Sequence, residues 1–171
     1  ANACTGASGI ADARAMADTT AEALECDPSD VLVASTGVIG VVMPMDLVLP
    51  GIIEAAGELD LVAGEEAAEA ILTTDTFTKT TGVAFELEGI TYTVGGMAKG
   101  SGMIHPNMAT MLAFVTTDAP LTSAGCDAAL RSAVSRTFNR ITVDSDTSTN
   151  DMCVLMASGA AGGQSIDPGD P

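Results

Sequence analysis

Several stretches of this 171-residue sequence carry side chains whose types and spacing could do chemistry. Gly95-Gly96-Met97-Ala98-Lys99-Gly100-Ser101-Gly102 has the glycines and the lysine of a phosphate-binding loop. Such a loop needs Gly-Lys-Ser/Thr in that order, so that backbone N–H groups and the ammonium converge on one phosphate. Here Lys99 precedes Gly100-Ser101, a hairpin comes before and no evident helix follows, which argues against phosphate cradling. Gly37-Val38-Ile39-Gly40 lacks the full dinucleotide-binding fingerprint. Asp144 to Asp151 begins like a calcium loop, but the position that needs glycine is Thr149 and the position that needs a bidentate glutamate is Leu155. A dense set of turn-forming, hydrogen-bonding side chains is the better reading of that run. His105 has a side chain suited to proton transfer near neutral pH, yet no Ser-His-Asp order surrounds it, and a loop position between Ile104 and Pro106 explains it. Thr110, on composition and periodicity alone, is a threonine that begins a strand.

Those groups must be positioned by an ordinary globular core. Hydrophobic residues make up 47% of the chain, enough to exclude a disordered composition. Aromatics are only 3% and Trp is absent, so the core is expected from Val, Leu, Ile, Ala and the 9 Met. The 23 acidic residues outweigh the 6 basic ones, for a formal charge of −17. Such a surface repels nucleic-acid backbones and anionic membranes. It suits a high-salt environment as well as a plainly acidic enzyme. Lys79 and Lys99 are the lysines.

Cys4, Cys26, Cys126 and Cys153 form no C-x-x-C pair and, with His105, no zinc spacing. They read as buried free thiols of a cytoplasmic protein, and no metal is expected. The N-terminal residues lack the order of a signal peptide. The most apolar stretch, 41–53, is interrupted by Pro44, Asp46 and Pro50 and is too short to span a bilayer. Without an initiator Met, the chain is expected to be a single-domain fragment, 1–171, of a longer protein.

Apolar spacing predicts a helix over 8–25, and Asp30 to Ser35 reads as a short buried strand. Helices are expected over 45–59 and 65–72, separated by Gly64. Val83, Phe85, Leu87, Ile90, Tyr92 and Val94 alternate around Glu88-Gly89, the pattern of a hairpin. Gly95–Gly102 reads as a flexible loop, 110–116 as a strand, 123–138 as a helix, and 141–143 and 152–156 as strands. The order favours a layered α+β domain.

Residues 99–112 read Lys-Gly-Ser-Gly-Met-Ile-His-Pro-Asn-Met-Ala-Thr-Met-Leu. This run resembles the self-cleavage region of the glutamate N-acetyltransferase / ornithine acetyltransferase family of arginine biosynthesis. Ala1-Asn2-Ala3-Cys4-Thr5-Gly6, Ala34 to Gly40, Thr73-Thr74-Asp75-Thr76 and Asn139 to Asp144 also match, in the family's order. The resemblance implies an αββα layered sandwich and an N-terminal-nucleophile enzyme. Cleavage between Ala109 and Thr110 would give parts 1–109 and 110–171 and free the Thr110 α-amine to act as base for its own hydroxyl. By the same resemblance, Thr36 and Gly37 form the oxyanion hole, and Thr73, Lys99 and Thr110 bind substrate. The implied reaction moves acetyl from N-acetylornithine to glutamate through acetyl-Thr110. It requires no cofactor, with acetyl-CoA left open as a further substrate, and the implied assembly is an oligomer of cleaved α and β chains. A related self-processing aminopeptidase or amidase, and an inactive acidic fragment, are the alternatives.

Overall fold

A computed structural model describes residues 1–104 and 111–169. Contacts gather around two centres, Ala1–Gly64 and Glu65–Pro171.

The first unit holds α1 (Gly6–Leu24) and α2 (Met45–Gly57), which pack on each other. Ahead of α1, the Asn2 amide donates to the Gly9 carbonyl at 2.7 Å, and the Thr5 hydroxyl donates to the Asn2 oxygen at 2.6 Å. Gly9 is buried against that pair: a Cβ there would sit 1.9 Å from the Thr5 hydroxyl oxygen. The helix ends at Glu25, whose φ of 55° places it in the left-handed region used to stop helices. The strand expected over 30–35 is not formed. Residues 31–36 join no ladder, and a run of strand-like composition becomes a strand only where a neighbouring backbone supplies bonds.

In the second unit, α3 (Gly64–Ala70) leads into a four-stranded sheet of β1 (Lys79–Leu87), β2 (Ile90–Lys99), β3 (Leu112–Thr117) and β4 (Met152–Ala157), in that spatial order. The expected hairpin is present. Leu87 pairs with Ile90, and the two turn residues Glu88 and Gly89 have φ of 53° and 78°. A two-residue turn with both φ positive matches the right-handed twist of the flanking strands. Gly89 faces open space, so Gly89→Ala adds backbone strain without a clash. It is expected to lower stability by about 1 kcal/mol. Glu88→Asn, which tolerates that backbone better, should move the urea midpoint the other way; two unmoved midpoints would contradict this account of the turn.

The sheet goes further than the sequence suggests. Gly95 to Lys99 belong to β2, with Gly96 paired to Thr81 on one side and Val115 on the other. Glycine reads locally as loop, but two flanking ladders override that preference. A Cβ on Gly96 would also lie 3.3 Å from the Phe114 carbonyl oxygen. β3 and β4 run parallel, joined through α4 (Ser123–Arg136). Thr122 caps α4, accepting from the Gly125 N–H at 3.0 Å. An apolar cavity of about 350 Å³ lies between α4 and the sheet, lined by Phe85, Tyr92, Val115, Leu130, Val134 and Leu155 among others.

Two expectations about burial are corrected. Among the described residues, alanine dominates the buried apolar set, with Tyr92, Leu112 and Val134 as its large members and no methionine. The cysteines are free thiols, but Cys4 and Cys26 are exposed and Cys126 and Cys153 half-buried. The stretch 141–143 is not a strand: Val143 and Thr142 instead donate to the single carbonyl of Ile104, at 2.7 and 3.1 Å. Among the described residues, no helix is long and apolar enough to cross a membrane.

Candidate functional site

Two candidate residues of the second unit, Thr73 and Lys99, meet at the end of β2. Lys99 is the last residue of that strand, and antiparallel register sets it opposite Leu112 of β3. It is only 3% exposed, so it is not a solvated loop lysine. Its ammonium donates to the Thr73 hydroxyl at 3.0 Å across a sequence separation of 26 residues. Thr73 is itself exposed. A buried ammonium is costly unless it is paired, and this one has a hydroxyl contact and an acidic neighbour. Burial pulls the Lys99 pKa down, the Asp75 carboxylate opposes that, and Lys79 adds to the depression; the result lies below the usual lysine value.

Asp75 is the residue that sequence reasoning left without a role. Its side chain has no exposed surface. One carboxylate oxygen accepts from the Lys79 ammonium at 2.5 Å and from the Gly100 N–H at 2.7 Å. The other oxygen is buried with no hydrogen-bond partner among the described residues. Burial pushes the Asp75 pKa up, but the bonds from Lys79 and Gly100 and the charges of Lys79 and Lys99 outweigh it, leaving the carboxyl below its ordinary range. The available signal was an acid four residues before Lys79, within the Thr73–Thr76 motif.

Ala109, Thr110 and His105 lie outside the described residues. The backbone on either side of them is held by the acidic run that begins at Asp144. Asp144 accepts from the N–H groups of Met103 at 2.5 Å and Ile104 at 2.7 Å, and those two bonds lead the causes that hold its carboxyl below the usual range. Asp151 accepts from the Met111 N–H at 2.8 Å. Burial nevertheless raises the Asp151 pKa, and its other oxygen is buried with no hydrogen-bond partner among the described residues. The run at 144–151 is therefore a pair of backbone anchors, as its turn-rich composition suggested. Among the described residues, no group of three His, Cys, Asp or Glu side chains is arranged to hold a metal.

Thr36 and Gly37 belong to the first unit. Their segment meets the N-terminal residues through three bonds: Asn2 N–H to the Ser35 hydroxyl at 3.0 Å, Ala1 nitrogen to the Val38 carbonyl at 3.0 Å, and Gly40 N–H to the Ala3 carbonyl at 2.8 Å. Two motifs far apart in sequence, 1–6 and 34–40, are thus neighbours. Thr36 is half-buried and Gly37 exposed. Gly37 has φ of 136°, and a Cβ on it would lie 2.8 Å from the Ala1 nitrogen, so both backbone and space require glycine here.

Comparison with known proteins identifies the family. The ArgJ family profile matches residues 1–169. The arginine biosynthesis bifunctional protein ArgJ of Symbiobacterium thermophilum is 59% identical over 169 residues, covering 99% of this chain and 42% of that protein. The ArgJ protein of Geobacillus stearothermophilus is 52% identical over 171 residues, covering 100% of this chain and 42% of its own length. Among solved structures, the ArgJ protein of Bacillus halodurans superposes with a TM-score of 0.56 at 44% identity, covering 64% of this chain and 56% of that one. The chain belongs to the ArgJ family and spans about two-fifths of the length of these curated relatives. Its mixed α and β architecture, with one four-stranded sheet, accompanies that likeness.

Proposed function

We propose that this chain is part of an acetyltransferase of arginine biosynthesis that transfers acetyl from N-acetylornithine to glutamate through Thr110. Family membership supports the reaction class, since the curated relatives are named arginine biosynthesis bifunctional proteins. The observation that carries the reading is the contact of Thr73 with a buried Lys99. These residues were singled out as substrate contacts from their separate motifs, and a recessed ammonium beside an exposed hydroxyl suits an amino acid's carboxylate.

In this reading the Thr110 hydroxyl attacks the Ala109 carbonyl carbon. The Ala109–Thr110 C–N bond breaks as the hydroxyl oxygen is acylated, and water opens that ester to leave a free Thr110 amine. In transfer, the amine takes the hydroxyl proton while the oxygen attacks the acetyl carbonyl of N-acetylornithine. Ornithine's amine leaves with that proton, and the glutamate amine then attacks the acetyl ester and restores the hydroxyl. Thr36 and Gly37 donate to the negative oxygen that forms in each step. Acetyl-CoA as a second acetyl donor is consistent with this chemistry and needs no bound cofactor.

The αββα sandwich requires a second sheet, which we assign to the part of the longer protein outside this chain. The sheet face bearing Met97, Phe114, Val154 and Met156 is the one to receive it; Met156 there is 45% exposed. The working form is an oligomer of cleaved α and β parts in the cytoplasm.

Lys99→Ala in the full-length protein tests the reading. The loss of one charge-assisted contact, about 1.5–3 kcal/mol, corresponds to a rise in the glutamate KM of roughly 10- to 100-fold. The kcat should change much less. An unchanged KM in a folded variant removes Lys99 from the site.

A further inference from the structure

We propose that Asp75 is the positioning residue for Lys99, a buried carboxylate that fixes the Lys79 ammonium and the Gly100 corner so that Lys99 presents its charge at Thr73. The inference rests on the reading of Lys99 as a carboxylate-binding group and deepens it.

Two observations support it. First, Asp75 has no exposed side-chain surface, and burying a carboxylate serves nothing unless cations and N–H groups compensate it. Second, its partners are the residues that frame Lys99. It accepts from Gly100, the next residue along the chain, and from Lys79, whose backbone pairs with Ala98, the residue before Lys99. One carboxylate therefore ties together the adjoining ends of β1 and β2.

Without Asp75, the Lys79 charge would oppose the protonated form of Lys99 with less to offset it. Asp75 and Lys79 act on Lys99 with opposite signs. Asp75 thus keeps Lys99 protonated and aimed. A carboxylate that only braced the strand ends would leave the glutamate KM of a folded Asp75→Asn variant unchanged near neutral pH.

The test uses the full-length protein and reads 1/KM for glutamate against pH. Asp75→Asn keeps an oxygen to accept from Gly100 but removes the charge. Its KM near neutral pH is expected to rise about tenfold with kcat changed by less than about threefold. The alkaline limb of the profile should move to lower pH by about one unit, the size of an opposite-charge effect at close range. Lys79→Met should move that limb the other way, because it removes the like charge, and this variant keeps the idea testable should Asp75→Asn fold poorly. An unmoved limb in both variants overturns the proposal. So does a fall in KM for Asp75→Asn, which would mean that uncovered positive charge outweighs positioning. Lys99→Ala run alongside separates the failures. If it raises KM while the limb stays fixed in Asp75→Asn and Lys79→Met, only the Asp75 assignment falls; if it leaves KM unchanged, the reading of Lys99 falls with it.

Discussion

Thr110→Ala is expected to leave the full-length chain uncut and to reduce acetyl transfer to background. An alanine has no oxygen to attack the Ala109 carbonyl, and without the cut no free amine arises at position 110. Both the nucleophile and its base are lost in one substitution. Removing a covalent nucleophile lowers turnover by something on the order of 10⁴–10⁶-fold. Thr110→Ser offers the informative contrast, since it keeps a hydroxyl and should still cleave and transfer at reduced rates. Intact mass and a glutamate acetylation assay on the two variants measure this directly. An Ala variant that is cut at the same place, or that transfers acetyl at a wild-type rate, contradicts the assignment.

Thr36→Ala has the next largest expected effect. An oxyanion donor acts where negative charge develops, so its loss is felt in kcat far more than in KM. A fall of roughly 10²–10³-fold in kcat is expected, together with slower self-cleavage, because both reactions pass through a tetrahedral oxyanion. Thr36 is half-buried on a segment held by bonds to Ala1, Asn2 and Ala3, so the variant has a scaffold that does not depend on its hydroxyl alone. Gly37 is less replaceable: its φ of 136° and the nearby Ala1 nitrogen leave no space for a Cβ. Time courses of processing and transfer for Thr36→Ala, measured on the same preparation, check the coupling. Near-normal rates of both exclude Thr36 from the oxyanion hole.

Local chemistry made much of the fold legible and long-range pairing made the rest obscure. The hairpin could be read because alternation and a Glu-Gly turn are both encoded within a dozen residues, and α1, α2 and α4 because their apolar spacing and stop signals are local too. Gly95 to Lys99 looked like loop because glycine is a poor strand former alone, and only the ladders to β1 and β3 reveal its strand character. The parallel pairing of β3 with β4 depends on a crossover through α4, which no local pattern announces. Residues 31–36 failed in the opposite sense: Leu32 is 62% exposed, so an apolar run met no sheet to join.

The site divides in the same way. Thr73 and Lys99 were found through motifs, and nothing in their spacing discloses that one hydroxyl receives the other's ammonium. Asp75 stayed unseen because an aspartate in a threonine-rich motif reads as a turn residue until its burial is known. Asp144 and Asp151 were read as turn formers, and the structure gives that reading its content: they grip the backbone at Met103, Ile104 and Met111.

The central claim is that Thr110 becomes a chain terminus and an acyl carrier. N-terminal sequencing of the purified full-length protein, followed by intact mass after brief exposure to N-acetylornithine without glutamate, tests it most directly. The expected result is a second chain beginning Thr-Met-Leu-Ala-Phe that gains one acetyl group and loses it when glutamate is added. A single uncut chain that never gains acetyl would contradict the account.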